Sequence, residues 1–290
     1  MAPAWQAPVL SGFLALALLL WVLWLVRLLM NRGPLWPKVR IEDRPHLAEV
    51  ALAAVSLALL ASLWSWLLKG VLESQNLELA LAGALAELCT CLLILSMLGW
   101  KAPKQLDSFG LALRGWPKHL GWGLVCALAV WPIAIQLLVP LSLRAARFLS
   151  QWAWQVNYTV QPHTLLREMS EVTAPVNWWL LVILAVVIAP LAEEILFRGL
   201  LQGAMVRLLR SRWIAIVVSA AIFSVLHLAI RDNPSAGEAP VAQVETIPSL
   251  FLLGLALGYS YEKSRSLYRP MVIHLAFNAL SLIMAWSQLP

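Results

Sequence analysis

Charged residues are scarce in this sequence. Only 12% of its 290 residues are Asp, Glu, Lys or Arg, whereas 61% are hydrophobic, and the mean hydropathy is +0.78. Soluble domains carry about 25% charged residues, so this composition excludes a soluble globular protein. It predicts an all-α, polytopic membrane protein in which spans of about 20 residues and short connections use nearly the whole chain.

Cysteine is also scarce, and the basic residues do not cluster. The three cysteines, Cys89, Cys91 and Cys126, lie in apolar runs, so neither a disulfide framework nor a metal–thiolate cluster is predicted. The formal net charge is +6, but Lys and Arg occur at the ends of apolar runs rather than on an extended basic face. This distribution excludes nucleic acid as a partner and indicates membrane lipid.

Eight apolar runs are interpreted as membrane helices. Residues 9–30 are interpreted as a retained span rather than a signal peptide, because a basic n-region is missing. The chain then divides into four N-terminal helices with a connecting segment, 1–176, and a second group of helices, 177–288. The connector 142–176 is expected outside the membrane. The predicted spans are 9–30, 47–69, 77–100, 119–141, 177–209, 213–230, 246–261 and 271–287.

The distribution of Lys and Arg supports this arrangement. Loops that follow the odd-numbered spans hold fourteen of the 21 Lys and Arg residues, and loops on the opposite side hold five. Cytoplasmic loops carry an excess of these residues. We therefore expect a multi-pass protein of the cell membrane with both termini on the non-cytoplasmic side.

The polar side chains inside the last four spans are few and regularly spaced. Charged groups at membrane depth are costly, so their presence indicates function. Residues four apart share one face of a helix, and we therefore expect Glu194 to pair with Arg198. The spaced sets are Glu193-Glu194-x-x-x-Arg198, Phe223-x-x-x-His227 and His274-x-x-x-Asn278.

The relative depth of these groups can be estimated by counting. If spans five and six form a hairpin near Ser211, Glu194 and His227 both lie about 25 Å from the turn and face one another. His274 fits less simply, because it lies five residues after Arg269 and so near the cytoplasmic end. Either the hairpin projects beyond the membrane, or the connection between the last two spans is sunk into the protein.

Proline and glycine add two expectations. Pro190 should free the carbonyl of Val186, four residues earlier, and kink the helix just before the two carboxylates. Gly254 and Gly258 are interpreted as small residues that allow close helix packing.

In this order, the three polar motifs resemble the signature motifs of the CPBP family, the CAAX-processing and bacteriocin-processing intramembrane endopeptidases. The resemblance covers roughly residues 177–288. It implies a glutamate-dependent peptidase in which Glu193 activates water together with His227, while His274 and Asn278 bind the developing oxyanion. Peptide hydrolysis needs such a base and such donors. The supporting residues are Glu194, Arg198 and Phe223.

The sequence leaves the metal and the activity open to alternatives. The family name often includes "metalloprotease", and Glu193, His227 and His274 would then be the zinc ligands. The sequence lacks His-Glu-x-x-His, however, which disfavours this reading. The expected partner is a peptide or protein substrate. The alternative is a non-catalytic membrane protein that binds a peptide, as in bacteriocin immunity; a proton-coupled transporter is disfavoured because no internal repeat is present.

The polar segment 231–246 departs from the family pattern. A shorter and more apolar link is expected directly after the second motif. The departure affects the expected wall of the substrate cavity and the route by which the substrate enters it. It does not affect the residues that the resemblance implies are catalytic.

Overall fold

The chain is helical almost throughout the part that the structure describes. Apart from one antiparallel pair of two-residue strands, the secondary structure of the described residues is helical, which confirms the all-α prediction. The structure is a computed structural model that describes residues 6–30, 36–37, 41–72, 75–101, 109–111, 115–154, 158, 174–227, 229–230, 241–242 and 244–287.

The N-terminal half contributes four of the eight long helices found among the described residues. They are α1 (Gln6–Met30), α2 (Leu47–Leu67), α3 (Gln75–Lys101) and α4, which joins Trp116–Pro132, the π-helical stretch Ile133–Leu138 and Val139–Trp154.

Helix α4 is longer than the predicted span 119–141. Helix α4 continues into the connector 142–176, which was expected outside the membrane, and ends at Trp154. Within this connector, Tyr158 is buried and donates a hydrogen bond to Glu245. Most of the remaining connector lies outside the described residues.

The second half contributes the other four helices. Helix α6 (Arg212–Leu226) ends before the predicted position near 230, and a short strand follows it, so the predicted end of the sixth span is wrong. Most of the polar segment 231–246 lies outside the described residues. The helices are α5 (Pro175–Leu209), α6 (Arg212–Leu226), α7 (Ile247–Ser264) and α8 (Tyr268–Trp286), and the strands are β1 (Ala229–Ile230) and β2 (Val241–Ala242).

Six helices within the described residues are long and apolar enough to cross a membrane, namely α1, α2, α3, α4, α5 and α8. Helix α6 is apolar but has 15 residues. At 1.5 Å per residue it is about 22 Å long, less than the roughly 30 Å hydrocarbon core. The chain is thus a multi-pass membrane protein, whereas the prediction of eight spans is not confirmed.

The core that supports the second half lies where α4, α6, α7 and α8 meet. Trp131, Phe223 and Phe277 are buried there. Helices α6 and α7 approach closely, because a Cβ added at Gly254 would lie 2.9 Å from the Cα of Ala220. This distance confirms the close-packing interpretation of Gly254. The last turn of α6 is anchored by Phe223, which is buried in the same core.

A buried ion network joins the predicted cytoplasmic ends of the helices. Glu262 of α7 is fully buried, and its carboxylate accepts hydrogen bonds of 2.9 and 2.7 Å from Arg44. Arg212 and Arg265 lie 3.6 and 3.7 Å from the same carboxylate, and Gln202 donates to it at 3.3 Å. Three arginines that the sequence count assigns to loops are therefore paired with one buried glutamate.

Candidate active site

Three polar side chains from three helices converge beside the middle of α5. Glu193 ends the stretch Ala189–Glu193 within α5, His227 directly follows α6, and His274 lies in the second turn of α8. Glu193 Oε1 is 4.0 Å from His227 Nε2, and Glu193 Oε2 is 3.7 Å from His274 Nε2. The two histidines thus meet at one carboxylate, although their sequence positions predicted different depths.

The ring of His227 is oriented by the end of its own helix. Its backbone N–H donates to Ser224, and its Nδ1 lies 2.8 Å from the carbonyl oxygen of Phe223. A carbonyl only accepts, so Nδ1 donates this hydrogen bond, and the ring presents Nε2 to Glu193. The side chain is 34% exposed, so the cluster is accessible on this side.

Glu194 orients the second histidine. Its fully buried carboxylate lies 2.9 Å from Nδ1 of His274 and 3.2 Å from NH1 of Arg198. The carboxylate accepts a hydrogen bond from Nδ1–H, which turns Nε2 of His274 toward Glu193. Glu194 therefore contacts both an imidazole and the expected Arg198 partner.

Phe223 packs against three of the polar side chains at this site. Its ring centroid is 4.6 Å from that of His227 and 5.7 Å from that of His274. The guanidinium carbon of Arg198 lies 4.6 Å from the same centroid, within the range of a cation–π contact. Phe223 thereby fixes the positions of three polar side chains that come from three helices.

Asn278 contacts the backbone of α5. Its Nδ2 donates a 2.9 Å hydrogen bond to the carbonyl of Ala185. Pro190 has no N–H, so one backbone carbonyl of the preceding turn lacks its usual donor. Because that turn is π-helical, the carbonyl concerned lies five residues before Pro190 rather than four. The sequence prediction named Val186, whereas the bonded carbonyl is that of Ala185. Asn278 thus joins α8 to α5 just before the two carboxylates.

Helix α3 contributes groups that sequence reasoning did not assign to the site. Glu87 interacts electrostatically with Glu193, and Cys91 Sγ lies 3.6 Å from the carbonyl of Ala192. A carboxylate in the middle of an apolar run was the available signal. The sequence could not show which helix Glu87 faces, because the partner lies about a hundred residues later.

The proposed zinc ligands do not form a metal cluster. Across the described residues, no group of three or more His, Cys, Asp or Glu side chains is arranged to hold a metal ion. Zinc binds nitrogen and oxygen ligands at about 2.0–2.2 Å. The zinc hypothesis for Glu193, His227 and His274 therefore has no support from this geometry.

The comparison with protein families agrees with the sequence motifs. The family model described as Type II CAAX prenyl endopeptidase Rce1-like matches residues 175–280, which include all three motifs. This match confirms the resemblance to the CPBP family. No curated protein and no solved structure matches the chain.

Proposed function

With residues 175–280 identified as a segment of the Type II CAAX prenyl endopeptidase Rce1-like family, we propose that this protein is an intramembrane endopeptidase that uses a glutamate-activated water. The observation that carries the proposal is the position of Glu193 between the Nε2 atoms of His227 and His274, at 4.0 and 3.7 Å. Both separations are longer than a direct hydrogen bond, so a water molecule can bridge the carboxylate and the imidazole.

Glu193 is the proposed base. The water donates one hydrogen bond to Glu193 and the other to Nε2 of His227, and its oxygen attacks the carbonyl carbon of the peptide. Glu193 takes the proton from the water and later gives it to the leaving amine nitrogen as the C–N bond breaks. The carboxylate is thereby restored, and no other reagent is consumed.

His274 is the proposed donor to the oxyanion. Its Nδ1 proton is held by Glu194, so a second proton on Nε2 makes the ring an imidazolium that can donate to the tetrahedral oxygen. Two carboxylates and the guanidinium of Arg198 carry one net negative charge, and the imidazolium balances it, which lowers the cost of burying these groups. Asn278 supports this geometry by holding α8 on α5.

The proposed substrate class is a peptide tail held at the membrane. The family description names CAAX prenyl endopeptidases, so a peptide with a prenylated C-terminal CAAX sequence is the first substrate to test. The same peptide without its prenyl group shows whether the lipid is required.

The first test compares wild-type protein with His227→Ala, both purified as full-length chains. Wild type should release the C-terminal fragment, identified by mass spectrometry. His227→Ala should lower kcat by about 10²-fold, because the attacking water loses the acceptor that positions it beside Glu193. Glu42→Gln serves as a control variant, because Glu42 is exposed and distant in sequence from the motifs.

The alternative, a peptide-binding protein without catalysis, predicts a different result. Wild type would then retain the intact peptide and release no fragment, and His227→Ala would change only the amount retained. That outcome would overturn the proposed activity.

A further inference from the structure

An apolar cavity of about 650 Å³ lies among α1, α4, α6 and α7. Leu20, Val125, Val217 and Leu252 are among its walls, whereas Glu193, His227 and His274 do not line it. Val125 and Val217 are 38% and 46% exposed, so the cavity is open along its side to the surroundings. In a membrane protein, such an opening faces lipid.

One end of this cavity is positively charged. Arg27, near the end of α1, and Arg269, in the first turn of α8, both line it. Among the described residues, neither arginine forms an ion pair with a carboxylate, and Nε of Arg269 has no hydrogen-bond partner. Ser260 also lines the cavity; it is 3% exposed, and its hydroxyl has no partner within the described chain.

Aromatic side chains mark the level of this charged end. Tyr259 has ring contacts with Trp24 at 5.7 Å and with Trp213 at 5.9 Å. Trp and Tyr concentrate at membrane–water interfaces, and the positive-inside distribution predicts that this is the cytoplasmic one. Leu252 lies seven residues before Tyr259 on α7, so the apolar wall continues about 10 Å toward the bilayer interior.

We propose that this cavity binds one anionic phospholipid of the cytoplasmic leaflet. Its phosphate lies between Arg27 and Arg269, and its acyl chains lie along the apolar walls. Guanidinium groups bind phosphate through charge-assisted hydrogen bonds, and basic pockets between membrane helices bind anionic headgroups. A zwitterionic choline lipid fits less well, because its ammonium group would be repelled by the two arginines. The site is separate from the proposed catalytic cluster, so the proposal does not depend on peptidase activity.

Native mass spectrometry of the full chain in detergent tests this site directly. Phosphatidylglycerol and phosphatidylcholine with identical acyl chains are added in equal amounts. One phosphatidylglycerol should be retained per chain, with at least about tenfold preference, since each basic side chain near an anionic lipid strengthens binding severalfold. Combined Arg27→Gln and Arg269→Gln substitutions should abolish that preference.

Arg210→Gln is the matched control for the loss of charge. Arg210 is exposed, lies on the same predicted side and does not line the cavity, so this variant should keep the preference. Val125→Trp should lower retention of both lipids, because the larger side chain fills the apolar wall without changing charge. This variant tests the site independently if the double arginine variant fails to fold, which size-exclusion chromatography would reveal.

Three results would overturn the proposal. Equal retention of the two lipids would show that the charge of the headgroup does not determine binding. An unchanged preference after both arginines are replaced would show that Arg27 and Arg269 do not bind the headgroup. Glycerol phosphate without acyl chains should not be retained. If it binds as tightly as the lipid, the site recognises free phosphate instead.

Discussion

Glu193 and Glu194 are neighbours in sequence but have different surroundings. Glu194 is fully buried and contacts His274 and Arg198, whereas Glu193 is 16% exposed and faces two Nε2 atoms. The contact with Arg198 was predictable, because it joins residues four apart on one helix. The contact with His274 was not predictable from spacing, because it joins two helices whose packing the sequence does not specify.

These surroundings predict losses of stability of different size for the same substitution at the two positions. Glu194→Gln removes the charge beside the buried guanidinium of Arg198 and should lower the free energy of unfolding by about 3–5 kcal/mol. Glu193→Gln should lower it by less than about 1 kcal/mol, because Glu193 is partly exposed and faces no cation within ion-pair distance other than a protonated histidine. Thermal unfolding in detergent compares the two variants; equal melting temperatures would contradict the assignment of separate roles.

At the scale of elements, α5 departs most from regular helix. It contains the π-helical stretches Leu184–Ile188 and Glu194–Gln202 on either side of Ala189–Glu193. Such stretches are rare and occur often at functional sites. Pro190 gave a sequence signal for an interrupted helix, but the π register, and hence the carbonyl that Asn278 meets, depends on tertiary packing. The early end of α6, which frees the Phe223 carbonyl for His227, is likewise set by tertiary context.

The pairing of Asn278 with Ala185 can be tested by a double-mutant cycle with Pro190→Ala. Asn278→Ala leaves a partly buried carbonyl without its donor, which should cost about 1 kcal/mol of stability. Pro190→Ala restores a backbone N–H beside that carbonyl, so the Asn278→Ala loss should be smaller in this background. The melting temperatures of four proteins provide the measurement.

The same cycle distinguishes the structural role of Asn278 from direct oxyanion binding. If Asn278 acts by holding α5, Pro190→Ala should recover part of the cleavage activity that Asn278→Ala loses. Complete loss of activity in both backgrounds, with stability recovered, would instead favour contact with the oxyanion.

At the scale of the whole molecule, the composition predicted the fold class, and three short motifs predicted the family of residues 175–280. The number of spans was not predictable in the same way, because α6 is apolar yet short and α7 is not among the six helices long and apolar enough to cross a membrane. The sequence count also treated Arg44, Arg212 and Arg265 only as indicators of topology. Their common partner, Glu262, lies just beyond the predicted seventh span. The orientation of the termini stays a prediction.

Glu262 should therefore be a determinant of stability outside the proposed catalytic cluster. Glu262→Gln removes the negative charge that is paired with Arg44, which is 4% exposed. We expect a loss of about 3–5 kcal/mol. Glu42→Gln, an exposed change in the same loop as Arg44, should shift stability by less than about 0.5 kcal/mol. A melting temperature of Glu262→Gln within error of this control would refute the proposed role of the network.

The proposed role of Glu193 is tested most directly by the cleavage rate of a membrane peptide by purified wild type and Glu193→Gln, each with and without a chelator. The account predicts that Glu193→Gln lowers kcat by about 10²–10⁴-fold while the protein stays folded. It also predicts that the chelator leaves the wild-type rate unchanged, because no step is assigned to a metal. Undiminished cleavage by folded Glu193→Gln would contradict the proposed role of Glu193 as the base.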